Sequence, residues 1–350
     1  MNQDTDPGNA FTIHVVSDLT AKECARFYDH AVTIVADGEP TPTVSRGEGF
    51  APQQDTARGT YNPAMIEIQT ANAPASLTLR NIILDDGGLH VGTVFAQAVS
   101  QGENEGGTPN NSTYVQDAII ASNATQACTI TLGAGTVLRN YGGMSAVRVT
   151  NQAVLKMEAG SAIEDTTVTD RTKGSAEGEV GPAGAVWAQG GTLLMEAGAE
   201  IRRMVGRGIY ADGGSITIGG KIHNIKGDAD MWQGTKGVAL HLRNGAVGSM
   251  SAIGEITDIK GSENAVFATG EAVRFTMEHG SKIHNFANLC GVYMENSSQL
   301  YMDGEISKLS KAVAVSLNDG AAGEIQSNGF IHDNQCATAV VYLRGGSQLT

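Results

Sequence analysis

A single unit recurs along this chain, and that repetition constrains its fold more than any other feature. An apolar strand, a glycine turn, a second strand, another glycine, then an isoleucine and a polar corner follow one another in AVRVTNQAVLKMEAGSAIED, AVWAQGGTLLMEAGAEIRR, GIYADGGSITIGGKIHN, AVFATGEAVRFTMEHGSKIHN and GVYMENSSQLYMDGEISK. A unit of this size cannot bury its apolar face alone, so units must stack into a solenoid. The matching anchors are Leu138, Ile163, Ile201, Ile222, Ile256, Ile283, Ile306 and Ile331, spaced 25, 38, 21, 34, 27, 23 and 25 residues apart. One coil therefore takes about 21 to 27 residues, and two coils carry insertions. Period-2 alternation and 45 glycines against 8 prolines exclude a helical repeat and suit short strands joined by tight turns. The expected fold is all-β: a single-stranded right-handed parallel β-helix of about nine coils, with three parallel sheets and the anchors buried in one file. Only 5% of residues are aromatic, so Val, Ile, Leu, Ala and Met must fill the core.

Two residues beyond each anchor stand Asn140, Asp165, Arg203, Asn224, Asp258, Asn285, Lys308 and Asp333. Six of these eight are Asn or Asp, which tolerate left-handed turns, so a polar ladder along one corner is expected to set the register. Residues 1–90 read as a cap and opening coils, and 91–350 as the repeat domain. Thr20 to Glu23 forms a capping box that predicts a short helix to about Tyr28, with Leu19, Phe27 and Tyr28 over the core. Strands are expected at 32–35, 65–68 and 77–84, and loops at 36–63, 100–117, 171–182 and 228–236. The chain stops in mid-coil at GGSQLT, so a continuation past Thr350 is expected, and an open end would favour self-association.

Net charge is −14, which disfavours nucleic acid, anionic membranes and acidic polysaccharides as partners. No apolar run is long enough to cross a membrane, and MNQDTDPGNA contains no segment of the signal-peptide kind. Cys24, Cys128, Cys290 and Cys336 are widely separated and read as isolated buried thiols, with neither a zinc nor a redox motif. His223, His284 and His332 each follow an anchor on alternate coils, roughly 10 Å apart, too far to share a metal; they read as solvated turn residues. No metal and no cofactor are expected.

The first strands begin at Val147, Val186, Ile209, Val238, Val266, Val292, Val313 and Val340, which puts Arg148, Trp187, Tyr210, Ala239, Phe267, Tyr293, Ala314 and Val341 on the outer face. Its aromatics either pack on one another as a ladder or form a platform for sugar rings. Ala239 splits them into two pairs. The pair beside the acidic loops is the expected ligand site, made of Trp187, Tyr210, Trp232, Gln189 and Asp212. Asp212 and Glu295 are the outward carboxylates nearest this row, but three coils, or ~14 Å, separate them, too far for a glycosidase dyad. Glu177, Glu179, Asp228 and Asp230, on the loops at 171–182 and 228–236, are the remaining candidates for an acid–base pair.

SLTLRNIILDDGG at 76–88 resembles the opening coils of pectate-lyase-like β-helix proteins, and LYMDGEISKLSKAVAVSL resembles repeats of adhesin-like bacterial surface proteins. The resemblance implies a secreted or cell-surface protein. Two functions follow as expectations. One is a non-catalytic surface module, an adhesin-like stalk that binds neutral glycans or a host surface protein. The other is a polysaccharide-active enzyme, a glycosidase with its site at the two acidic loops.

Overall fold

The computed structural model describes residues 8–51, 53–55, 60–62, 64–87, 118–122, 125–143, 145–168, 184–227, 237–260, 262–287, 290–336 and 339–350. The chain winds as a right-handed parallel β-helix, laying one strand per coil in each of three sheets. The first sheet has 12 strands, from Ala10–Val15 to Gln348–Leu349. Among the described residues the second has 13, of which 11 stack from Leu19–Glu23 to Phe330–His332 while Gly142–Gly143 and Thr167–Val168 pair beside them, and the third has 11, from Ala25–Tyr28 to Val341–Leu343.

More coils are present than the nine or so expected, because the strands between Ala10 and Asp85 belong to the same three sheets, except for Gln53–Asp55 and Thr60–Asn62, which pair antiparallel with each other. The predicted capping helix is not formed. Leu19–Glu23 and Ala25–Tyr28 are strands, paired with Thr43–Ala51 and Ile66–Gln69. The capping box satisfies only a few local amides, whereas a parallel neighbour takes up the backbone along each strand and lets Ala21 and Phe27 pack on the core. No helix occurs among the described residues. The expected loop at 36–63 also contains the strand Thr43–Ala51.

The anchors form the expected file. Leu138, Ile163, Ile201, Ile222, Ile256, Ile283, Ile306 and Ile331 pair in unbroken register through the second sheet. All but Ile331, which is half-buried, are fully buried. Each of the eight corner residues two positions on is left-handed, with φ between 52 and 62°. These residues bend each coil between short strand segments, and their side chains link along the stack: Arg203 donates two 2.8 Å bonds to Asp165, and Asn140 donates one of 2.8 Å to Asp85. Size varies inside the core, and the neighbours compensate. Gly248 lies between Ile216 and Phe275, where an added Cβ would meet Leu242 at 2.7 Å and Phe275 at 3.3 Å. The missing side chain makes room for Phe275, a buried ring in this otherwise aliphatic file.

Candidate functional site

Register decides which side chains share an outer face. In the third sheet Val147, Val186, Ile209, Leu240, Val266, Val292 and Val315 pair in one file and belong to the core. The outward file beside it is Arg148, Trp187, Tyr210, His241, Phe267, Tyr293, Ser316 and Tyr342. This corrects the sequence reading at three strands. Val238 and Ala239 give way to Leu240 and His241, and Val313 and Ala314 to Val315 and Ser316. At the third, Val340 and Val341 give way to Val341 and Tyr342. The first slip arises because 237–242 is buried throughout, so alternation cannot choose between frames after the inserted segment at 228–236.

With His241 in place, the aromatic row is continuous and Ala239 does not interrupt it. The Tyr210 and His241 rings meet edge-on at 4.9 Å, His241 and Phe267 edge-on at 4.7 Å, and Phe267 and Tyr293 stack at 5.4 Å. Trp187 and Tyr210 form a buried cluster separate from the main core, 6% and 1% exposed. Arg148 lies 5.0 Å from the Trp187 ring and Arg207 5.2 Å from that of Tyr210. The ring faces are therefore taken up by neighbours along the stack, the arrangement of a stiffening ladder. Burial pushes both phenols up, that of Tyr293 to about 12.

Gln189 and Asp212 are register partners two residues along. Gln189 is exposed, while half-buried Asp212 accepts a hydrogen bond from Asn244 and faces Arg243, which donates to the Tyr210 hydroxyl at 3.2 Å. The fold thus brings Trp187, Tyr210, Gln189 and Asp212 together, with both rings closed to solvent. Glu177, Glu179, Asp228, Asp230 and Trp232 lie outside the described residues.

The second sheet carries a charge ladder. His284 bonds Glu255 of the preceding coil at 2.8 Å, and Lys221 approaches the same carboxylate from the other side at 3.1 Å. Glu305 is held likewise between Lys282 and His332, both at 3.3 Å, and His223 lies 3.6 Å from Glu200. The three histidines are therefore strand residues facing carboxylates, rather than the turn residues expected, and burial holds the His223 imidazole below its ordinary range. Asp85 and Asp86 are also buried and paired, Asp86 with Arg46 at 2.5 Å and Asp85 with Arg139 at 2.6 Å.

These contacts set the acidity of the carboxyl groups. The Asp165 carboxyl is held below its ordinary range by hydrogen bonds from Arg203, and that of Glu305 by Ser307 and Lys282. At Glu255, burial acts upward but bonds from His284 and Lys221 outweigh it. At Asp85, bonds from Asn140, Gly87 and Arg139 outweigh burial in the same way. Burial pushes the Cys24 and Cys128 thiols up to about 12 and Cys290 to about 11, so they remain protonated and unreactive near neutral pH. Among the described residues no three His, Cys, Asp or Glu side chains are grouped to hold a metal ion.

One depression on the first sheet escaped the sequence reading, which followed only the outer row of the third. It has a volume of about 320 Å³ and lies over Ala322, whose register partners Gln299 and Gln348 are both long. Tyr301, 41% exposed, stands beside it, next to Glu324 in register. The signal was present as an alanine aligned between two glutamines, but it becomes legible only once the strands are in register.

No family model matches the chain, and no curated protein matches it. Among solved structures, a TibC-catalysed hyper-glycosylated TibA fragment, residues 55–350, is 11% identical with a TM-score of 0.29, over 98% of this chain and 96% of that one.

Proposed function

We propose that the chain is a non-catalytic, adhesin-like β-helix module of a bacterial cell surface, a stiff stalk that binds a neutral glycan or a host surface protein along its outer sheets. One observation carries the non-catalytic part. The carboxyl groups of Asp29, Asp85, Asp165, Glu255 and Glu305 are each held below their ordinary range by the groups that bond them. A glycosidase needs one carboxyl raised so that it can donate a proton at neutral pH. These carboxylates instead bond arginine, lysine, histidine, hydroxyl or amide partners, and those of the second sheet tie one coil to the next. The cell-surface part rests on the resemblance of the repeats, and the preference for neutral partners on the net charge of −14.

The test combines a glycan array with an assay for new reducing ends on neutral polysaccharides. The proposal expects binding to a neutral glycan, or to a host protein in a parallel pull-down, with no new reducing ends. Their appearance would refute it and direct attention to Glu177, Glu179, Asp228 and Asp230.

A further inference from the structure

We infer that the depression over Ala322 on the outer face of the first sheet is a subsite for one ring of a neutral sugar. The inference rests on the glycan arm of the function proposed above and gives it a location. Ala322 sits between Gln299 and Gln348 in one outward column, so two long amide side chains stand on either side of a methyl group. In the next column Tyr301 and Glu324 are adjacent. The resulting dent of about 320 Å³ matches a small ligand in size and is shallow enough to admit one part of a longer chain.

The chemistry of the lining selects the ligand. Tyr301 is 41% exposed, in contrast to the ladder on the third sheet, where the rings from Tyr210 to Tyr293 pack on one another. An exposed aromatic beside amide and carboxylate groups suits a sugar, which presents C–H groups on its ring face and hydroxyls at its edge. Arg274 donates to the Gln299 side-chain oxygen at 3.1 Å, and Gln326 donates to Glu324, so the polar groups are held in place before a ligand arrives. Among the lining side chains the charges of Arg274 and Glu324 cancel, which favours an uncharged ligand over a sulfated or uronic one.

The test starts from the neutral glycan that binds most tightly on an array, titrated calorimetrically into the parent, Tyr301→Ala, Tyr301→Phe and Ala322→Leu. All three substitutions lie on an exposed face, so thermal melts should match the parent and exclude misfolding. Tyr301→Ala should weaken binding roughly tenfold, Ala322→Leu should block it by filling the dent, and Tyr301→Phe should bind as the parent does. A parent that binds the glycan with Tyr301→Ala and Ala322→Leu unchanged overturns the subsite and leaves glycan binding standing at another place. A parent that binds no neutral glycan overturns both.

Discussion

Removing one ring from the third-sheet ladder tests whether that row is structural. Tyr210 is the best position, being 1% exposed, packed with Trp187, in edge contact with His241 at 4.9 Å and 5.2 Å from the Arg207 guanidinium. Its hydroxyl also accepts from Arg243 at 3.2 Å. Tyr210→Ala deletes a buried ring that flanking strands cannot close over, because parallel pairing fixes them in place. The cost should therefore fall in the range for large aromatics, about 3 to 5 kcal/mol. With a urea slope of about 1 to 3 kcal/mol per molar, the unfolding midpoint should drop by about 1 M or more. In a solenoid the damage is felt first by the adjacent coils. Trp187, in the coil before, reports it: in a Trp232→Phe background it is the only tryptophan of the chain's two, and its emission should shift to the red before the strand signal is lost. Coincident urea midpoints for variant and parent, with unchanged Trp187 emission, would refute the buried ladder.

Ile222→Ala removes a fully buried anchor and should cost about 2 to 5 kcal/mol in a denaturant titration, whereas a variant that unfolds with the parent would mean the file is misplaced. Lys308 is left-handed at φ 55° without the side chain that tolerates it, so Lys308→Asn should raise stability by about 1 kcal/mol; a lowered melting temperature would count against a strained corner. Acid should weaken the charge ladder. Glu255 and Glu305 are held below the ordinary glutamate value of 4.5, so the folded state stays ionised to lower pH than the unfolded chain does. Their contribution is complete above that value and is lost as pH falls through the depressed one, so melting temperature should decline below about pH 4.5. Glu255→Gln should flatten part of that decline, and an identical profile would argue against the ladder.

The fold was legible because a solenoid writes the same constraint many times. One apolar anchor followed by an Asn or Asp two positions later is weak; at six of eight anchors it selects the buried file and the bend together, and even Arg203 and Lys308 adopt the left-handed bend found at the Asn and Asp residues. The opening coils were misread for the complementary reason. Thr20 to Glu23 is a good local helix signal, and only its pairing with Thr43–Ala51, more than twenty residues away, overrides it. Outer faces depend on register, which moves the outward residue by two positions at His241 and Ser316 and by one at Tyr342. After the segment at 228–236 the strand at 237–242 is buried throughout, so nothing local distinguished Ala239 from His241 as the outward residue.

The same logic separates scaffold from site. A residue that repeats from coil to coil is answered by its neighbours above and below, and its chemistry is spent on them: Glu255 between Lys221 and His284, Phe267 between His241 and Tyr293. Such residues are conspicuous in a sequence because they repeat, which is why the aromatic row drew attention as a binding platform. A side chain free to meet a ligand is one that its coil neighbours do not match. Tyr301 pairs with Thr276 on one side and Glu324 on the other, and Ala322 separates two glutamines, so neither belongs to a repeating file. In a stack of coils, departures from the repeat that remain exposed are therefore where binding is to be sought.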